Sequence, residues 1–340
     1  MNTAPVDVLI TVPFSDAILD ELSAISPRLR FHSYTAKRPE DIPAEQWQKA
    51  EILYTDQVLP APEQVPNLRW IQFHWAGVDF ALDAPLLKKP EIAATTLSGA
   101  AAPQMAEFVL TMMLALGHHL PHFVANQQKA EWPKGSGERL RPLELRGSTV
   151  GMVGYGSICR ELARLIQPFH ATILATKRDV MRPQDTGYMA EGLGDPEGNL
   201  FNRLYPIQAL RSMLKECDFV VVALPLNDST RGLITAAELA VMKPHAMLVD
   251  VGRGGIINAA ALLNVLQEKK IGGAALDVFE EEPLPANSPF WKLPNTIITP
   301  HIAGISQYYN QRAAELFAEN LKRYLSGDAL QNRFDPQQGY

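Results

Sequence analysis

The stretch VGYGSICREL, residues 153–162, decides how the rest of the chain is read. It opens as Gly154-x-Gly156, the start of a dinucleotide-binding fingerprint, and then places Cys159 where a third glycine belongs. A lone G-x-G-x-x-G carries little weight. It gains weight from a strand before it, a helix after it, and an acidic or basic residue about 20 positions on. Here STVGMV (148–153) reads as the strand, and Ile158, Leu162, Leu165 and Ile166 fall on one face of a helix. In such a loop the first glycine makes the tight turn and the second lets the backbone approach a pyrophosphate. The helix N-terminus offers free N–H groups and a positive dipole end to that anion. The third position asks only for a small residue, so Cys159 fits as a small buried hydrophobe, with a redox role as the alternative. Tyr155, Ser157 and Ile158 complete the candidate cofactor loop.

The next strand ends ILATKRD, residues 173–179. An NAD site normally carries Asp or Glu there, to accept hydrogen bonds from the ribose hydroxyls. This chain has Thr176, then Lys177 and Arg178. A hydroxyl and two cations suit a 2′-phosphate, which favours NADP(H), with NAD(H) and Asp179 as the alternative. Residues 179–204 then read as a long loop, of the kind that in compact domains is functional or disordered.

Further out, short apolar runs alternate with helical patterns. Strands are predicted at 6–12, 51–56, 68–73 and 92–98, and in a second series at 148–154, 171–176, 219–225, 246–252, 273–279 and 296–300. Continuous apolar strands separated by helices imply parallel sheets covered on both faces. A length of 340 residues fits two such α/β domains. Met105, Phe108, Val109, Met112, Met113 and Leu116 mark a helix over 102–120 that serves a core or a subunit interface, and a last helix is predicted at 306–325. Composition is ordinary, 46% hydrophobic and 20% charged, and the net charge of −6 speaks against a nucleic-acid or membrane partner. Two cysteines make neither a disulfide framework nor a metal site. The N-terminal MNTAPVDVLI has no basic n-region and reads as a strand, so a cytoplasmic protein is expected. His118, His119 and His122 have no carboxylate or cysteine with them and read as a polar helix end, with no metal expected.

Three charged groups lie just past three strands of the second series: Arg253 after AMLVDVG, Glu282 after GAALDVF, and His301 after TIITP. In an open parallel sheet ligands bind outside the carboxyl ends of the strands, so the three can converge beside the cofactor. The motifs around them are VGYGSI (153–158), ALPLNDSTRGLI (223–234), MKPHAMLVDVGRGGIIN (242–258), GGAALDVFEEEPLP (272–285) and LPNTIITPHIAG (293–304). In this order they resemble the D-isomer-specific 2-hydroxyacid dehydrogenases, most of all the glyoxylate/hydroxypyruvate reductases. AGVD (76–79) and QMAEFVL (104–110) carry the resemblance towards the N-terminus.

The resemblance implies a Rossmann cofactor domain, 102–304, inserted into a flavodoxin-like substrate domain, 1–101 plus 305–340, with the site in the cleft between them. It implies that Arg253 grips the substrate carboxylate, that His301 is the general acid/base, and that Glu282 pairs with that histidine. Asp277 would orient the nicotinamide carboxamide, and Leu224, Pro225, Val251, Gly252 and Gly304 would line the cofactor. Trp75, Ala76, Gly77, Val78, Ser98 and Gly99 would meet the substrate, with the loop amides on its carboxylate. The chemistry needs these types. Reducing a 2-oxo acid adds a hydride to C2 and a proton to the carbonyl oxygen, and histidine titrates near neutrality. A buried carboxylate beside it favours its charged form. Arginine presents a permanent planar fork to a carboxylate. His74 and Trp75 either shape the pocket or simply pack. Trp132 either packs locally or reaches a neighbouring subunit's site, as an aromatic there does in the reductases. A homodimer is expected. Two other classes stand as alternatives: a cofactor-sensing corepressor of the same fold, and a methyltransferase, which has no use for Arg253, Glu282 and His301.

Overall fold

A computed structural model describes residues 4–335. The chain divides into two units, Met1–Ala101 with Ser306–Tyr340, and Ala102–Ile305.

The first unit is built on five strands, β1 (Val6–Ile10), β2 (Leu29–Ser33), β3 (Ile52–Thr55), β4 (Trp70–Phe73) and β5 (Ala93–Thr95). They lie in the order β2-β1-β3-β4-β5, all parallel, which is the flavodoxin-like order. β3 and β4 are buried at every residue because the sheet is covered on both faces. The helix Tyr309–Ser326 returns to this unit and packs its apolar side on the sheet, Phe317 meeting the rings of Tyr54 and Trp70. Its buried Asn320 donates to Gln72 Oε1 on β4.

The second unit holds β6 (Thr149–Val153), β7 (Thr172–Lys177), β8 (Arg203–Pro206), β9 (Phe219–Val222), β10 (Met247–Asp250), β11 (Gly273–Leu276) and β12 (Thr296–Ile298). The order is β12-β11-β10-β9-β6-β7-β8, again all parallel. The chain leaves β6 towards β7 on one side and later returns to β9 on the other. The fingerprint loop therefore sits at the reversal of strand order, where an open α/β sheet forms its ligand crevice. The helix Ala102–Gly117 buries Ala106, Val109, Met113 and Leu116 in the core of this unit. It stops short of the predicted 120 because His119 takes a left-handed φ of 56°, after which a separate helix runs Leu120–Gln128.

Two strands were not expected. β2 and β8 are edge strands with mixed burial, so neither shows an apolar run. β8 ends the predicted 179–204 loop early. Several central strands are also shorter than predicted. Ala223–Pro225, Val251–Gly252 and Asp277–Phe279 are apolar enough to read as strand, but they leave the ladder and form the loops that carry candidate site residues. No single helix among the described residues is long and apolar enough to cross a membrane.

Candidate active site

β10, β11 and β12 are adjacent and parallel, so the loops at their carboxyl ends are neighbours. The first loop carries Arg253, half-buried, its Nη1 donating to Gly252 O at 3.0 Å. Gly254 beside it lies against the backbone of the second loop. A Cβ there would stand 2.0 Å from the Phe279 carbonyl oxygen, so only glycine allows the approach, and the approach fixes where Arg253 starts. The second loop carries Glu282, which works with both oxygens. Oε1 accepts from Phe279 N at 2.9 Å, closing the loop on itself, and Oε2 pairs with His301 Nδ1 at 2.7 Å. With Nδ1 engaged, Nε2 remains to meet a substrate atom. The structure thus brings Glu282 and His301 into contact. The expected burial of the carboxylate is not found: the side chains are 42% exposed for His301 and 35% for Glu282. Both ride on irregular loops past the sheet.

Two carboxylates lie beneath these loops. Asp277 is buried, and its oxygens accept from Thr299 Oγ1, Ile302 N and Ala303 N. Asp250 ends β10. Burial pushes its carboxyl up to about 7, against the pull of the Gly252 amide and with a further push from Asp277. Sequence reading passed over Asp250; the signal was a carboxylate closing an apolar strand.

On the other side of the sheet centre lies the glycine loop. Gly154 has φ 98°, and a Cβ on it would come 2.6 Å from Leu224 Cδ2 and 2.9 Å from Ala223 O. Its N–H donates to Thr176 Oγ1 at 3.0 Å, and Tyr155 N donates to Thr176 O. Thr176 is therefore turned inward, 1% exposed, and locks the loop to β7. Gly156 precedes the helix Ser157–Ile166, which has no side-chain cap, and a Cβ at Gly156 would meet nothing within 4 Å. Open space before uncapped helix N–H groups is what a dinucleotide pyrophosphate requires, so the residues present fit that group. Ser157 and Ile158 open the helix, half-buried. Cys159 is fully buried, its thiol pushed up to about 12 by burial, which keeps it an inert packing residue. Leu224 and Pro225 follow β9, with Leu224 under Gly154; Val251 and Gly252 follow β10, Val251 N donating to Val222 O. Gly304 O accepts from Gln104 Nε2.

At the end of β7, Lys177 Nζ donates to the carbonyls of Arg182 and Gln184, while Arg178 is exposed. Residues 179–202 are held down by a side chain that sequence reading missed. Arg160 is fully buried. It donates to the carbonyls of Asp195 and Pro183 and lies 4.7 Å from the centre of the Tyr155 ring. Tyr155 OH donates to Asp195 Oδ2, and Glu161 accepts from Gly194 N. An arginine next to a buried fingerprint position was the available signal.

The candidate substrate loop of the first unit follows β4. His74 is buried, its Nδ1 2.8 Å from Tyr54 OH, and burial lowers its pKa to about 4. His74 packs, then. Trp75 is half-buried, stacked on Tyr309, its indole N–H donating to Asp56. Ala76 is exposed, Gly77 half-buried, and Val78 is core. Ser98 and Gly99 form the turn after β5, where Asn332 Nδ2 donates to Ser98 O. In the second unit Trp132 is 95% exposed, so it does not pack locally; it lies beyond the end of the helix Leu120–Gln128. Among the described residues no cluster of His, Cys, Asp or Glu is placed to hold a metal ion.

Residues 110–303 match the family model described as D-isomer specific 2-hydroxyacid dehydrogenase, NAD binding domain. The chain is 34% identical over 264 residues to an (S)-sulfolactate dehydrogenase of Chromohalobacter salexigens, covering 76% of this chain and 78% of that protein. It is similar to a D-isomer specific 2-hydroxyacid dehydrogenase from Xanthobacter autotrophicus solved with NADPH and MES: TM-score 0.80, 27% identity, 99% of this chain and 100% of that one. A third likeness is to an NADPH-dependent glyoxylate/hydroxypyruvate reductase from Sinorhizobium meliloti solved with NADP and sulfate: TM-score 0.75, 26% identity, 98% and 100% covered.

Proposed function

The chain belongs to the family of D-isomer specific 2-hydroxyacid dehydrogenases, NAD(P)-dependent oxidoreductases of 2-oxo and 2-hydroxy acids, and on that premise we propose that it reduces a small 2-oxo acid with NADPH. The observation that carries this reading is the His301–Glu282 pair beside the Arg253 loop, in the same unit as the glycine cradle. A bound nicotinamide dinucleotide supplies the hydride. Arg253 takes the substrate carboxylate and aligns the 2-oxo group. His301 Nε2 hands a proton to the carbonyl oxygen, and Glu282 holds the ring through Nδ1.

The preference for NADPH rests on the end of β7. Thr176 faces inward, and Asp179 is engaged by its own turn, accepting from Met181 N and pairing with Arg182 at 3.7 Å. Arg178, exposed at the strand's end, is the residue we assign to the 2′-phosphate. The exposed apolar residues Leu120, Phe123, Val124 and Trp132 support a homodimer. Initial rates of reduced-nicotinamide consumption with glyoxylate and hydroxypyruvate, NADPH against NADH, test the reading. Higher kcat/KM with NADPH, and its loss in Arg178→Ala, is the expected result. An NADH preference overturns the cofactor assignment, and no rate across a wider panel of 2-oxo acids overturns the activity.

A further inference from the structure

His301 adopts a backbone conformation that residues with a side chain rarely take, φ 54°. Such strain persists only where the surroundings over-determine it. Here four donors from the loop after β12 converge on one residue of the neighbouring strand end. His301 N donates to the Asp277 carbonyl oxygen at 3.0 Å. Ile302 N donates to Asp277 Oδ1 at 3.0 Å and Ala303 N to Oδ2 at 2.9 Å. Thr299 Oγ1 donates to Oδ1 at 2.6 Å. Successive amides that follow a left-handed residue form a concave anion site, and here the anion is a buried side chain of the protein itself.

We propose that Asp277 is a positioning residue for His301: its carboxylate captures the two amides that follow the histidine, holds the left-handed turn, and so aims the imidazole. Glu282 fixes the ring at Nδ1; Asp277 fixes the backbone from which the ring projects. Without the carboxylate the turn relaxes towards negative φ, and the ring swings away from Glu282. This goes beyond a contact to the nicotinamide carboxamide, which makes Asp277 a matter of cofactor binding alone. It rests on the reading of His301 as the proton donor.

The test uses the full chain as wild type, Asp277→Asn and Thr299→Val. Asparagine keeps the shape but offers one acceptor oxygen instead of two; valine removes a single donor and leaves the carboxylate. Three quantities are read: NADPH affinity by fluorescence, kcat at saturating NADPH and glyoxylate, and hydrogen exchange of the Ile302 and Ala303 amides without nucleotide. In Asp277→Asn we expect kcat to fall about 100-fold, the low end of what a well-placed proton donor contributes. NADPH affinity changes little, and the two amides exchange at least about tenfold faster. Thr299→Val moves the same quantities in the same direction by less. Weaker NADPH binding with kcat retained overturns the proposal, as do unchanged amide exchange or an unchanged kcat in both variants. If Asp277→Asn does not fold, Thr299→Val decides by the same criteria. A wild type without turnover defeats the functional reading only, and amide exchange then still decides the role of Asp277.

Discussion

Two histidines stand just past strand ends in the two parallel sheets, His74 after β4 and His301 after β12, and they differ in almost everything but position. His74 is 7% exposed, and its Nδ1 faces a tyrosine hydroxyl. Burial raises the pKa of Tyr54 and lowers that of His74, so both are neutral and share one hydrogen bond. His301 is reachable by solvent, sits on a strained backbone, and faces a carboxylate. A hydroxyl partner in a dry site makes histidine a packing residue. A carboxylate partner in a solvent-reachable site is the arrangement we propose for proton transfer. Residue type and topological position do not separate the two roles; the partner at Nδ1 and access to water do.

The largest effect that can break this contrast is on turnover. His301→Asn should lower kcat/KM by about 10²–10⁴-fold with little change in thermal unfolding, whereas His74→Asn should lower stability and retain most of the rate. Equal losses from both substitutions would erase the distinction.

A pH series sharpens it next. The folded pKa of His74, about 4, lies below the ordinary histidine value of 6.5. The unfolded chain therefore binds the proton first as pH falls. The stabilising contribution is present above about 6.5 and is lost towards 4, up to about 3 kcal/mol. Urea unfolding of wild type and His74→Asn between pH 7 and pH 4 should show the steeper acid loss in the wild type. Asp250 works in the opposite sense. Its folded pKa, about 7, lies above the ordinary aspartate value of 3.8, so the folded state holds the proton longer and this residue's contribution falls as pH rises from about 4 to 7. Asp250→Asn should remove that decline; an unchanged pH profile in that variant would show that the carboxyl is ionised in the fold.

The smallest effect concerns the ring beside His74. Trp75→Phe keeps the stacking on Tyr309 and removes the indole donor to Asp56, for about 1 kcal/mol of stability. A loss several times larger would mean that the loop after β4 hangs on that one hydrogen bond.

What was legible in the sequence follows what each feature depends on. Both parallel sheets could be read because central strands such as β3, β9 and β10 are buried on both faces and spell unbroken apolar runs. β2 and β8 escaped because an edge strand needs one neighbour and one buried face. Strand ends were overrun at Val251 and Val278, which are apolar for the packing of a loop. Arg253, Glu282 and His301 could be marked because each lies in a dense local motif. The inward turn of Thr176, the burial of Arg160 and the grip of Asp277 on the loop after β12 could not. Each arises from a partner at least 22 residues away that only the folded chain supplies.

To a protein engineer, residues 179–202 look like spare length, a surface excursion that a shorter connection could replace. Arg160 makes that view costly. Trimming the excursion would strip a fully buried guanidinium of the Asp195 and Pro183 carbonyls, and Tyr155 of its acceptor, in one cut. A buried charge deprived of its partners is among the more damaging changes a fold can suffer. A shortened chain would have to change Arg160 in the same step, most simply to an uncharged residue of similar bulk. Deletion and substitution would each fail alone and be tolerated together, so any lineage that lost the excursion would be expected to have lost the arginine with it.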